Sequence, residues 1–333
     1  MSTSAPPSHH HGGTSKSHSS LYSKRPSNPS ERAGEEIEFA SQRKIRDTLV
    51  NRIRIFAAPY FAEFLGTGVF VLMGCGANLT YTVLTTNAQS AWVGNALGWG
   101  IALMTGVFIA GGVSGAMLNP AVTLAFAGYR GLPWIQVPFY FIAEFAGAFV
   151  GALLAYACFA HSLDPFDGFN RQINGPFGSA GAFGNFARPF IGNGAAFLSE
   201  SVGTGLLVIG IFAITDNNNF PARSCTPLAI GLLLTGLALS IGYPTGYSYN
   251  PARDLGPRCA AAIWYGADVF TNHGSYTWVP VAGPLAGGIV GSTLYEFLIV
   301  SKRALPDIDD NRSISASEHS SLSIAQKSSE SLP

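Results

Sequence analysis

The chain has 333 residues, of which 11% are charged and 47% hydrophobic, with a mean hydropathy of +0.26 and a net charge of zero. A soluble domain carries about 25% charged residues, so the deficit points to lipid burial, and the neutral balance excludes electrostatic binding of nucleic acid. Four cysteines, Cys75, Cys158, Cys225 and Cys259, lie in or beside apolar stretches without Cys-x-x-Cys spacing, and read as small buried hydrophobes with no metal or disulfide chemistry.

The N-terminal residues 1–54 are polar, with Ser, His, Gly and Pro first and Arg and Lys later, and are expected to be a disordered tail. The triplet His9, His10 and His11 belongs to that low-complexity stretch, and no apolar run near Met1 marks a cleavable signal. Six long apolar stretches follow, approximately Ile55–Leu79, Val93–Gly112, Trp134–Ala160, Gly194–Thr215, Pro227–Tyr243 and Trp278–Val300. Crossing the hydrocarbon core takes about 20 apolar residues, and the fifth stretch is the short one. Between the second and third, and again between the fifth and sixth, lie two apolar segments too short to cross, Leu118–Gly128 and Pro251–Tyr265. Residues 301–333 are Ser-rich and are expected to be a second disordered tail.

Six spans put both ends on one side. Arg43, Lys44, Arg46, Arg52 and Arg54 precede the first span, and Lys302 and Arg303 follow the last, so the positive-inside rule makes both tails cytoplasmic. The 39 glycines suit close helix packing in lipid, where association depends on packing and not on the hydrophobic effect.

The segment 55–300 divides into two similar halves, about 55–160 and 194–300. The first span carries Ala62-Glu63-Phe64-Leu65-Gly66-Thr67-Gly68 and the fourth carries Ser199-Glu200-Ser201-Val202-Gly203-Thr204-Gly205. Glu200 stands 137 positions after Glu63, and Asn250 stands 131 after Asn119. Three spans per copy is an odd number, so the second copy enters the membrane from the opposite side. Inverted repeats of this kind place their sites at the repeat interface near the midplane. An ionisable side chain inside a span is a functional hypothesis by default. Glu63 and Glu200 read as carboxylates that accept hydrogen bonds from the adjacent short segments, since neither has a His or Lys partner beside it. Glu144, in the third span, has no counterpart in the sixth and is assigned no special chemistry.

Each short segment begins with Asn-Pro-Ala: Asn119-Pro120-Ala121 and Asn250-Pro251-Ala252. Asn is a strong N-cap and Pro is favoured in the first turn, so each reads as the start of a half-helix. Irregular backbone at membrane depth is tolerated only where protein buries it or it lines a watery cavity. Two inverted half-helices meet start to start, with their positive dipole ends facing one point.

The stretches Ser114-Gly115-Ala116-Met117-Leu118-Asn119-Pro120-Ala121-Val122-Thr123 and Tyr249-Asn250-Pro251-Ala252-Arg253-Asp254-Leu255-Gly256-Pro257-Arg258 resemble the paired signature of the aquaporin, or major intrinsic protein, family. The resemblance implies an all-α membrane bundle of six transmembrane helices plus two half-helices, one pore per subunit and a homotetramer. It also implies a passive pore in which the Asn119 and Asn250 amides donate to molecules in single file. No enzymatic activity, cofactor or metal is implied.

The family's outer constriction has four positions, which fall here on Trp99, Ala238, Tyr247 and Arg253. This set resembles the glycerol type, with Tyr in place of Phe, and Asp254 and Pro280 resemble the same aquaglyceroporin branch. The tails and the filter are most similar to fungal members. Trp99 and Tyr247 are then an apolar corner for the carbons of glycerol, Arg253 donates to its hydroxyls, and Ala238 leaves width. Met117 departs from a bacterial glycerol type that has His. Water, glycerol and other small neutral solutes, with ammonia and urea among the candidates, are the implied cargo of a plasma-membrane channel. The competing readings are a water-selective channel, a secondary transporter, a junctional membrane protein and an intramembrane enzyme. The last is disfavoured because the spans hold no Ser/His or metal constellation and His161 and His273 fall in connecting segments.

Overall fold

The computed structural model describes residues 49–84, 88–219 and 223–301. The expected tails fall outside these residues, apart from Leu49–Arg54 and Ser301. The segment Met1–Ile55 is one unit and Phe56–Pro333 another. The helices are α1 (Leu49–Leu84), α2 (Ala88–Ala110), α3 (Pro120–Tyr129), α4 (Val137–Asp167), α5 (Asn193–Thr215), α6 (Thr226–Ile241), α7 (Pro251–Tyr265), α8 (Asp268–Ser275) and α9 (Val279–Tyr295). No strand occurs among the described residues; one isolated bridge joins Gln172 to Gly178.

The expected spans correspond to α1, α2, α4, α5, α6 and α9. Five stretches are long and apolar enough to cross a bilayer by length and composition. The remaining span, α6, has 16 residues, or about 24 Å at 1.5 Å per residue, and a 3₁₀ turn at Arg223–Cys225 precedes it. At the other end of the chain, a π-turn over Glu296–Val300 extends α9. Several sequence boundaries were too short: α4 runs on to Asp167, so His161 lies within a helix and not in a connection. Its stop is Gly168, a left-handed C-cap at φ 64°.

Glycine sets the helix crossings, and it does so twice. A Cβ on Gly147 of α4 would lie 2.2 Å from the Phe64 carbonyl oxygen of α1, and one on Gly151 would lie 2.3 Å from that of Gly68. In the second half a Cβ on Gly287 of α9 would lie 2.0 Å from the Ser201 carbonyl of α5, and one on Gly291 2.3 Å from that of Gly205. The repeated Gly-Thr-Gly motifs thus mark the first and third spans of each copy packed backbone to backbone, as close approach in lipid requires. The two copies are also interlocked. Gly256 of α7 packs on Ala148 and Phe145 of α4, and Gly288 of α9 packs on Ala121 of α3. Each half-helix therefore leans on the third span of the other copy.

The cysteine expectation is corrected: Cys75 is buried, but Cys158, Cys225 and Cys259 are exposed, and all are free. Apolar neighbours in the sequence do not tell which face of a membrane helix points outward, because the outward face is apolar too.

Candidate functional site

The half-helices begin as the sequence suggests. Asn119 caps α3 through its side-chain oxygen, which accepts from Ala121 N at 2.9 Å. Asn250 caps α7 in the same way, accepting from Ala252 N at 2.9 Å and Arg253 N at 3.1 Å. The nitrogens of both caps then cross to the opposite copy. Asn119 Nδ2 donates to Tyr249 O at 2.9 Å, and Asn250 Nδ2 donates to Leu118 O at 2.7 Å. The helix starts are thereby tied together, with one amide hydrogen of each Asn remaining. Pro120, Ala121, Pro251 and Ala252 are buried in the first turns.

The chain enters each half-helix through a strained approach. Ala116 and Leu118 have φ of 53° and 51°, and Tyr247 and Tyr249 have 48° and 49°. Left-handed backbone in non-glycine residues costs on the order of 1–3 kcal/mol each and persists only when its surroundings enforce it. Here the enforcing groups are the two intramembrane carboxylates. Glu63 accepts from Met117 N at 3.0 Å and Leu118 N at 2.7 Å. Glu200 accepts from Ser248 N at 3.1 Å and Tyr249 N at 2.7 Å. Both carboxylates are fully buried.

Glu144, which sequence reasoning passed over, is also fully buried and accepts from Thr123 Oγ1 at 2.6 Å. It ties α4 to α3 within the first copy. Its presence as the single carboxylate inside the third apolar stretch was the available signal. At Thr123's counterpart in the second copy, Asp254 accepts from Asn185 N at 2.7 Å and from Arg258 Nε at 2.8 Å. Arg258 in turn donates to the carbonyls of Val269 and Asn185. The resemblance marker Asp254 therefore organises the loops around α7. Pro280, the other marker, is buried in the first turn of α9.

A cavity of about 430 Å³ runs along the meeting point of the half-helices. Trp99, Tyr247, Arg253, Asn119, Asn250, Phe126, Thr215 and Thr226 are among the residues that line it. Met117 and the strained residues Ala116, Tyr247 and Tyr249 are on its wall as well. A second, more polar cavity of about 400 Å³ is lined by Asn78, Tyr81, Asn95, Asn185, Arg188 and Arg253. Arg253 lines both.

Three of the four constriction positions therefore converge. The Arg253 guanidinium carbon lies 3.8 Å from the centre of the Trp99 ring, and Arg253 is 2% exposed. Gly74 makes room for that indole, since a Cβ there would sit 2.3 Å from its ring atoms. Ala238 departs from the expectation. It is fully buried and is not on the cavity wall, which Ile230 and Leu234 of the same helix do line. Residues 230, 234 and 238 stand four apart and share one helix face.

These features define a class: a multi-pass membrane pore made from two inverted copies whose half-helices meet start to start. Residues 52–295 match the family described as Major intrinsic protein, and the chain belongs to that family, whose members are passive channels and not enzymes. The chain is 43% identical over 241 residues to Aquaglyceroporin-2 of Rhizophagus irregularis, covering 72% of this chain and 76% of that one. It is 40% identical over 263 residues to Aquaporin-2 of Rhizopus delemar, covering 78% and 83%. Among solved structures it is similar to the aquaglyceroporin from Plasmodium falciparum, with a TM-score of 0.65 and 30% identity over 72% of this chain and 96% of that chain.

Proposed function

We propose that this chain is an aquaglyceroporin that passes water, glycerol and similar small uncharged solutes, ammonia and urea among them, while excluding protons and ions. One observation carries the reading. Arg253 Nη1 is buried beside Trp99 on the cavity wall and has no hydrogen-bond partner among the described residues. A buried donor without a partner is costly, and a hydroxyl in transit relieves that cost. The Trp99 ring against which the guanidinium is stacked, together with the Tyr247 ring, gives the carbon edge of a polyol an apolar wall. The remaining amide hydrogens of Asn119 and Asn250 serve the same purpose at mid-pore.

Charge exclusion rests on the same parts. In aquaporin-type pores generally, an Arg and the positive ends of half-helix dipoles raise the barrier to cations and protons. Here those elements are Arg253 and the starts of α3 and α7. A neutral solute only exchanges hydrogen bonds with water for hydrogen bonds with the wall. Glu63 and Glu200 support the half-helices, and Ala238 contributes width by being small. The residues 55–300 are the channel domain, flanked by two cytoplasmic tails. The protein works as a homotetramer in the plasma membrane.

The test is solute flux in proteoliposomes. Shrinking under an impermeant sugar followed by reswelling with glycerol entry supports the reading. Water flux without glycerol entry overturns the glycerol assignment and leaves a water-selective channel. Native mass spectrometry in mild detergent tests the assembly: a tetramer is expected, and a conducting monomer contradicts it.

A further inference from the structure

Beside the constriction, on the wall of the second cavity, polar groups from α1, α2 and two loops form a hydrogen-bond chain whose direction is forced. Trp99 Nε1 donates to Asn78 Oδ1 at 2.9 Å. An indole is a donor only, so the Asn78 atom that faces it must be oxygen. Asn78 Nδ2 is then left for the Ala182 carbonyl, which only accepts, at 2.7 Å. Asn95 also reaches Asn78 Oδ1, so it must present its nitrogen there. Its oxygen is the atom that meets the Tyr247 hydroxyl, and that hydroxyl therefore donates to Asn95. The amide orientations follow from the network and are not a free assignment.

The consequence lies at the constriction. The single polar hydrogen of Trp99 and the single polar hydrogen of Tyr247 are both spent on the amides. What remains on the aromatic side is carbon, together with the acceptor capacity of the Tyr247 oxygen. Arg253 keeps Nη1 without a partner among the described residues. Of the three converging filter residues, Arg253 is thus the one with a free donor among the described residues.

We propose that Asn78 and Asn95 are positioning residues that set the hydrogen-bond polarity of the constriction, turning both aromatic hydrogens away from the lumen so that solutes with a carbon face and a hydroxyl face, the polyols, are favoured. The proposal rests on the reading that Trp99, Tyr247 and Arg253 form the solute filter. Without the relay, the hydroxyl of Tyr247 competes for the hydroxyls of the solute and for water, and the apolar corner is lost. A role confined to joining α1 to α2 would affect yield and stability and would leave the polyol preference unchanged.

The experiment measures glycerol and water permeability of the same proteoliposomes, corrected for protein content, and reports their ratio. In Asn95→Leu, Tyr247 loses its acceptor, and the glycerol-to-water ratio is expected to fall by about tenfold, the scale set by one misdirected hydrogen bond. Adding Tyr247→Phe removes the orphaned hydroxyl and is expected to restore the ratio to within about threefold of the unmodified protein. Asn95→Asp keeps the shape and the acceptor for Tyr247 but cannot donate to Asn78. The Asn78 amide then turns over, and Trp99 loses its acceptor. The ratio falls here too, and Tyr247→Phe does not restore it.

If the unmodified protein passes no glycerol, the filter reading fails and the relay goes with it. If it passes glycerol but Asn95→Leu leaves the ratio unchanged, or Tyr247→Phe does not restore it, the relay is overturned and the filter reading stands. Should Asn95→Leu not incorporate into vesicles, Asn95→Asp decides: an unchanged ratio overturns the proposal, and a fall that Tyr247→Phe leaves in place supports it.

Discussion

The two half-helix regions have nearly the same backbone and different side chains. In both, a buried Glu accepts from two consecutive backbone N–H groups, and an Asn caps a helix and reaches across to the other copy. In both, the residue three places before the Asn is left-handed, Ala116 in the first copy and Tyr247 in the second. The residue three places after it is Val122 in the first copy and Arg253 in the second, and both line the cavity. The first copy therefore offers a methyl and a branched alkyl group where the second offers a phenol and a guanidinium. Symmetry builds the frame of the pore, and the proposed filter lies where the two copies differ, at Tyr247 and Arg253.

The largest effects should come from attacking the shared frame. Glu63→Leu and Glu200→Leu each leave two buried backbone N–H groups without an acceptor, at about 1–3 kcal/mol per group. Both variants should lose folded protein in detergent melting experiments, and to a similar degree. A tolerated Glu200→Leu beside a lethal Glu63→Leu would break the equivalence of the two copies.

Next come exchanges at the asymmetric positions. Arg253→Val puts the side chain of the first copy into the second, and should raise proton or cation conductance by about tenfold or more, a barrier change of about 1.4 kcal/mol. Patch or oocyte recordings with surface expression measured would detect it. A correctly inserted variant with no ion leak and no change in solute preference would remove Arg253 from its role. The reverse exchange, Val122→Arg, places a second cation on the apolar part of the wall and should close the pore to glycerol.

A smaller and more selective effect is expected at Ala238. Ile230 and Leu234 of its helix face line the cavity, so the larger ring of Ala238→His is expected to narrow it. Glycerol flux should fall about tenfold, for a barrier rise of about 1.4 kcal/mol, while water flux falls much less. A variant that loses neither glycerol nor water flux would mean that position 238 has no access to the lumen. The smallest effect is expected for Tyr247→Phe alone. Its hydroxyl is already spent on Asn95, so the glycerol-to-water ratio should change by less than about twofold, well under 1 kcal/mol.

Much of this was legible in the sequence because the features that build the frame repeat. Asn-Pro-Ala and Glu-x-x-Gly-Thr-Gly each occur twice, and repetition separates a motif from chance. Trp99, Tyr247 and Arg253 followed from the family resemblance those motifs carry, and the fold brings them together. The parts that stayed hidden have no periodic signal. Asn78 and Asn95 belong to no repeated motif, and their meaning appears only when α1, α2 and the Tyr247 loop are brought side by side. The left-handed Ala116, Leu118, Tyr247 and Tyr249 carry no glycine to announce them; tertiary hydrogen bonds to Glu63 and Glu200 impose that conformation. Ala238, assigned to the constriction through the family resemblance, is fully buried and is not on the cavity wall.

The central claim is that this pore passes glycerol passively through a polar-on-one-side constriction. The most direct test is stopped-flow light scattering of proteoliposomes holding the unmodified protein, with glycerol entry measured over a range of gradients. Entry should be linear in the gradient, should not saturate, and should need no proton or sodium gradient. Saturating or ion-coupled entry would make the protein a transporter, and water flux with no glycerol entry would contradict the account outright.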